Sequence, residues 1–192
     1  GMCALDLTSD PDEQAQVLAR LRTDMAALEA LDSNDPALRA VQGDLLYREG
    51  MAALRPSDPE PAYRLFEASC ERSASQLNSR VMLAQVDFMQ GRHEKALAEL
   101  RKAQETWNLL EAQGANHPTR WLFAIQVWGV GCADQAGQLD LAFEYAEKAR
   151  AQLASGDEVS LSEVMTLAEF LATPDHEVLK DCSYVNQLFD DY

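Results

Sequence analysis

The sequence predicts an all-α protein, and three observations support this fold class. Apolar residues recur at three- and four-residue spacing along most of the 192 residues, which is typical of amphipathic helices. Proline, glycine and capping residues divide the chain into segments of helical length, and none of these segments alternates as a strand would. Small residues also recur in the same register 34 positions apart, as paired helices that pack closely require.

The first two helices are each predicted to begin at an Asp-Pro pair. Asp10-Pro11 supplies a cap and a proline at the first helical position of a helix over about 11–31. Asp35-Pro36 does the same for a helix that runs to about Leu54. The apolar face of the first helix is formed by Val17, Leu18, Leu21, Met25 and Leu28.

Turn residues separate the next three predicted helices. Asp58, in a proline-containing turn, caps a helix over about 60–76. A helix over about 78–91 begins at Asn78, and a long one over about 93–113 stops at Gly114.

The remaining helices follow the same signals. One begins near Pro118 and contains Gly129 and Gly131, which favour a close helix contact or a kink because glycine weakens a helix interior. Helices are then predicted over 139–154 and, from a capping box at Ser160, to Ala172. Thr173-Pro174 begins a last helix with an apolar face of Val178, Cys182, Val185 and Phe189.

A pattern of small and large residues recurs along the middle of the chain. The residues Gly50, Ala62, Phe66 and Ser69 correspond to Ala84, Ala96, Leu100 and Ala103, each 34 positions later. A third set, Gly137, Ala142, Ala146 and Ala149, aligns with Gly91, Ala96, Leu100 and Ala103, each 46 positions earlier. The second of these repeated segments therefore holds 12 more residues than the first, at about 105–116.

This pattern resembles the tetratricopeptide repeat, a helix–turn–helix unit of about 34 residues. The resemblance implies a single solenoid over 1–192, a right-handed α-α superhelix of about three helix pairs. The repeat units are about 43–76, 77–116 and 123–154. They are preceded by an N-terminal helix and the start of the second helix over 10–42, and they are followed by capping helices over 158–192. The chain departs from the repeat at several first-helix positions: Glu49 and Gly129 replace a leucine, and Asp87 stands where an aromatic residue is common.

In tetratricopeptide stacks the first helix of each unit lines a concave groove. Carried over by position, the resemblance assigns to this groove Tyr47, Met51, Leu54, Val81, Gln85, Phe88, Met89 and Val127, and also Gly131. Most of these side chains are apolar, which suits a peptide or an amphipathic helix with apolar anchors. Tetratricopeptide domains that bind the C-terminal carboxylate of chaperones carry lysine, arginine and asparagine in the groove. At the corresponding positions this chain has Tyr47, Met51, Val81 and Gln85, so that carboxylate-binding site is absent. The alternative is that the N-terminal helix or the two C-terminal helices cover the groove.

Charge and cysteine content restrict the classes of partner. The net charge is −16, of which residues 1–60 contribute −7 (12 acids, 5 bases) and residues 156–192 contribute −8 (9 acids, 1 base). The acidic ends favour solubility or a basic partner, and they disfavour nucleic acid. Neither a secretion signal nor a membrane span is predicted, so Cys3, Cys70, Cys132 and Cys182 are expected to be thiols in the cytoplasm.

No motif for catalysis, a metal or a cofactor is found in the sequence. His93, His117 and His176 lack ligand spacing, and no CxxC is present. The aromatic stretch Trp121–Trp128 is interpreted as core, with a homodimer through this helix as the alternative.

These patterns together predict a non-catalytic protein–protein interaction module of the adaptor, scaffold or secretion-chaperone type. The other hypotheses are an enzyme with dispersed carboxylates and histidines, and a self-assembling structural oligomer.

Overall fold

The fold is all-α, as the sequence predicts. The computed structural model describes residues 11–29, 35–115, 118–155, 159 and 161–172, and within these ranges it contains eight helices and no strand. The helices are α1 (Pro11–Glu29), α2 (Pro36–Ala53), α3 (Glu60–Arg72), α4 (Leu77–Met89), α5 (His93–Ala112), α6 (Arg120–Gln135), α7 (Leu139–Ala154) and α8 (Leu161–Ala172). No helix in these ranges is long and apolar enough to cross a membrane.

Most predicted helix ends agree with the structure to within about two residues. The end of α3 differs most: the helix stops at Arg72, because Ser73 is extended and the following residues form a turn before Leu77. The helix predicted from Thr173-Pro174 lies outside the described residues.

Glycine ends the helices α4 and α6 in the same way. Gly91 and Gly137 have φ of 72° and 71°, a conformation that residues with a Cβ rarely adopt. In each case the glycine N–H and the next N–H donate to carbonyls of the preceding helix, which is the Schellman motif. These two glycines are equivalent in the repeat pattern, so the same turn joins α4 to α5 and α6 to α7.

The chain divides into two compact units, residues 1–79 (unit 1) and 80–192 (unit 2). The core of unit 1 lies between α2 and α3. A Cβ at Gly50 would lie 2.5 Å from the fully buried Phe66 ring, so the helices approach closely because Gly50 has no side chain. The buried Ser69 hydroxyl donates to the carbonyl of Gly43 at 2.6 Å and lies 2.7 Å from the hydroxyl of Ser79.

Within unit 1, helix α1 packs on α2. Leu18 contacts Leu45 in a small apolar cluster that includes Leu21 and Leu38. Next to it, Arg22 forms a hydrogen-bonded ion pair with the buried Glu49, and this hydrogen bond raises the pKa of the guanidinium. Arg22 therefore balances the charge of the buried Glu49 carboxylate.

Unit 2 is built around α6. This helix packs against α5, α7 and α8, and much of its length is buried. Its glycine Gly129 lies beneath Tyr145 of α7. A Cβ at Gly129 would be only 2.6 Å from the Tyr145 ring, so the ring can lie there because glycine has no side chain. Phe123 and Ile125 are fully buried, so the centre of the aromatic stretch is core. A homodimer through the Trp121–Trp128 helix stays a prediction.

The small residues of the repeat pattern lie in the interior of the units. Ala62, Ala96 and Ala142 have no exposed surface, and neither do Phe66 and Leu100. The sequence pattern therefore marks the side of each second helix that is packed.

Candidate functional site

The predicted groove residues of unit 1 lie at the surface of α2. Met51 is 42% exposed. Tyr47 is half-buried, with its ring 6.1 Å from the ring of Phe66, and Leu54 is half-buried at the C-terminal cap of α2.

The predicted groove residues of unit 2 differ widely in exposure. Val81 and Val127 have no exposed surface, so their side chains belong to the interior of unit 2 and not to its surface. Gln85 and Phe88 are half-buried, and Met89 is 54% exposed.

Phe88 is part of a cluster of three aromatic rings, which we call the aromatic cluster: Phe88 of α4, Trp128 of α6 and Phe170 of α8. The ring centroids are 5.6 Å apart for Phe88 and Trp128, 5.5 Å for Phe88 and Phe170, and 5.7 Å for Trp128 and Phe170. All three pairs meet edge to face, the favoured arrangement of aromatic pairs. Each ring is half-buried, so the cluster reaches the surface.

A glycine of α6 forms the floor beneath Phe170. A Cβ at Gly131 would lie 2.6 Å from the Phe170 ring, closer than any real contact. Gly131 is a groove position by the repeat resemblance, and its lack of a side chain lets α8 pack directly on the backbone of α6. Among the α8 side chains that the structure describes, the buried ones are Val164, Leu167, Ala168 and Leu171.

Charged residues border the aromatic cluster at the turn between α4 and α5. Asp87 is fully buried and accepts a hydrogen bond from Nε of Arg92 at 2.6 Å, while Nζ of Lys95 is 3.9 Å away. This ion pair gives the buried carboxylate the partner that it needs. Arg92, His93 and Lys95 also line an open pocket at the N-terminus of α5.

His93 takes part in packing. Its ring lies 5.2 Å from Phe88, and its Nδ1 is buried without a hydrogen-bond partner in the part of the chain that the structure describes. A general base has to reach the proton that it removes, so this nitrogen is poorly placed for acid–base chemistry.

Cys132 is similarly poorly suited to chemistry. Its side chain is fully buried, and burial together with the charge of Asp87 raises the pKa of the thiol to about 12. Because the thiolate is the nucleophilic form, Cys132 is unreactive near neutral pH.

Within the described ranges, no group of three or more histidine, cysteine or acidic side chains could hold a metal ion. His117, His176, Cys3 and Cys182 lie outside these ranges.

No protein-family model, curated protein or solved structure matches this chain.

Sequence reasoning identified Phe88 and Gly131 but did not single out Phe170. The signal for α8 was present, because a capping box precedes apolar residues at helical spacing. The spacing marks an amphipathic helix, but it does not say which surface that helix covers.

Proposed function

We propose that this protein is a non-catalytic interaction module that binds an amphipathic helix or an apolar peptide segment of another protein. The observation that carries the proposal is the seating of Phe170 over Gly131, against Phe88 and Trp128. An amphipathic helix already lies on this surface, so its shape suits that class of ligand.

The aromatic cluster supplies the kind of contact that dominates protein recognition. Aromatic side chains in close-fitting sites often contribute most of the binding energy of an interface. Met89, exposed and next to Phe88 in the chain, adds an adaptable apolar side chain. The net charge of −16 favours a partner with basic flanks, mainly through the rate of association.

The proposal includes a tetratricopeptide-like right-handed superhelix. It is supported by the complete burial of Ala62, Ala96 and Ala142 and by the matching turns at Gly91 and Gly137. We also place the protein in the cytoplasm, where a thiol such as Cys132 stays reduced.

Site-specific photo-crosslinking in cells tests the proposal. A photoreactive amino acid at Met89 should give a discrete crosslinked partner that is lost when Phe88→Glu is added. The matched control is the same amino acid at Leu109, which is 58% exposed on α5 and should give no such product. The proposal fails if Met89 and Leu109 crosslink the same proteins, or if Phe88→Glu leaves the product unchanged while helicity is retained.

A further inference from the structure

We infer that α8 is an internal occupant of the binding surface, and that the partner is an amphipathic helix which replaces α8 and places an aromatic side chain where Phe170 lies. This inference rests on the proposed function and names the chemistry of the partner and the control of access to the site.

The first argument is the apolar pattern of α8. Its buried residues Val164, Leu167, Ala168 and Leu171 have the spacing i, i+3, i+4 and i+7. This is the anchor pattern of helices that bind in grooves of other proteins. The opposite side carries the exposed residues Met165 and Glu169. The helix therefore has the form of a helical ligand, supplied by the same chain.

The second argument is the fit of a single ring. Phe170 occupies the space that the missing side chain of Gly131 leaves, and it meets Phe88 and Trp128 edge to face. A helix with an aliphatic side chain at this position would fill the space without the edge-to-face contacts. The partner should therefore carry an aromatic residue at the place corresponding to Phe170.

The third argument is the energetic balance of the exchange. A partner helix with the same anchors would bury nearly the same apolar surface as α8, so the exchange replaces like contacts with like. The tethered helix has the advantage of an effective concentration on the order of millimolar. Weakening α8 at Phe170 should therefore open the surface, and strengthening the partner should have the same result.

The test uses the full-length chain and a fluorescein-labelled peptide with the sequence of residues 161–172. Fluorescence anisotropy should show weak binding to the wild-type chain, because α8 occupies the site. Phe170→Ala should increase the affinity by about 30-fold or more, since a truncated phenylalanine loses much of its packing. A peptide in which its own phenylalanine is replaced by alanine should lose most of this gain.

Two further variants keep the test decisive. Phe170→Leu retains the apolar volume without the ring and should show an intermediate increase, even if Phe170→Ala loses helicity by circular dichroism. Met165→Ala changes an exposed residue of the same helix and should bind the peptide as the wild type does.

The site of binding is checked with Gly131→Ala in the Phe170→Leu background. The added methyl group would occupy the place of the incoming ring, so peptide binding should fall back at least to the wild-type level. Equal peptide affinity for wild type and both Phe170 variants, or unchanged binding when Gly131→Ala is added, would overturn the inference.

The crosslinking experiment separates this inference from the proposed function. A partner that crosslinks at Met89 equally in wild type and Phe170→Leu would support a binding module but contradict control by α8. A peptide that behaves as expected, without any cellular partner at Met89, would leave α8 as an internal occupant and contradict the proposed function. If the variants instead form dimers by light scattering and these resist excess peptide, a second copy is the occupant and the inference of a foreign helix is wrong.

Discussion

The helix pairs α2/α3 and α6/α7 solve the same packing problem with different residues. In each pair a glycine of the first helix lies under an aromatic ring of the second: Gly50 under Phe66 in one, Gly129 under Tyr145 in the other. Both rings are nearly or completely buried. The missing side chain allows the two helices to approach, and the ring fills the space that remains.

The positions of these residues within the repeat are not the same. In the repeat register, Phe66 corresponds to Ala146 and Gly50 corresponds to Val130. The second pair instead uses the residue before each of these, Gly129 and Tyr145. Both the glycine and the aromatic residue of the second pair stand one position earlier in the register, so they still face each other although the positions differ.

The largest expected effect is that of removing one of these rings. Phe66→Ala should destabilise the α2/α3 pair by about 3–5 kcal/mol, because it leaves a cavity that Gly50, which has no side chain, cannot fill. Chemical denaturation followed by circular dichroism measures the loss. Phe143→Ala is the control, since Phe143 is 41% exposed on α7 and should cost far less. Equal losses would mean that the buried contact with Gly50 is unimportant.

The two glycines should respond differently to an added methyl group. Gly129→Ala would place Cβ 2.6 Å from Cγ at the base of the Tyr145 ring, whereas Gly50→Ala would meet Cε1 of Phe66, farther along the ring. The base of a ring cannot swing away, so we expect Gly129→Ala to cost more, within a range of about 1–3 kcal/mol. Hydrogen exchange of α6/α7 and α2/α3 reports each loss locally. A larger loss for Gly50→Ala would contradict the geometry.

Only the ring of unit 2 in this comparison can ionise. Burial raises the pKa of the Tyr145 hydroxyl, so the folded state keeps its proton to a higher pH than the unfolded chain does. Its contribution is complete below the unfolded pKa of about 10 and is lost as the pH rises through the folded pKa. Tyr145→Phe should reduce the alkaline loss of stability by up to about 1.4 kcal/mol per pH unit.

Denaturation of both proteins between pH 9 and 12 measures this difference. Cys132, with its pKa of about 12, contributes a similar alkaline loss to both and cancels in the comparison. Identical pH profiles would show that Tyr145 is not buried as the structure has it.

The smallest effect concerns a hydroxyl that the α6/α7 pair lacks. Ser69 donates to the Gly43 carbonyl, whereas its counterpart in the repeat pattern is Ala149. Ser69→Ala should cost about 1 kcal/mol, because the Gly43 carbonyl and the Ser79 hydroxyl lose a partner. Ser73→Ala is the control. The hydrogen bond between the Ser73 and Ser75 hydroxyls is exposed, so its loss should lower the free energy of unfolding only slightly in the same denaturation assay.

The sequence by itself determined where the described helices lie and which side of α3, α5 and α7 is packed. Asp35-Pro36 and Gly91 act on the backbone of their own neighbourhood, so their effect could be predicted without the rest of the protein. The repeat of small residues likewise predicted the burial of Ala62 and Ala96, because close packing requires small side chains wherever it occurs.

The tertiary structure alone decided which residues meet and which remain accessible. Val81 and Phe88 are both predicted groove residues of α4, yet Val81 is buried and Phe88 contacts Phe170, 82 positions later. Helical spacing shows that a residue faces another helix, but it does not specify which one. That choice depends on the fit of distant surfaces, such as the ring of Phe170 over the bare backbone of Gly131.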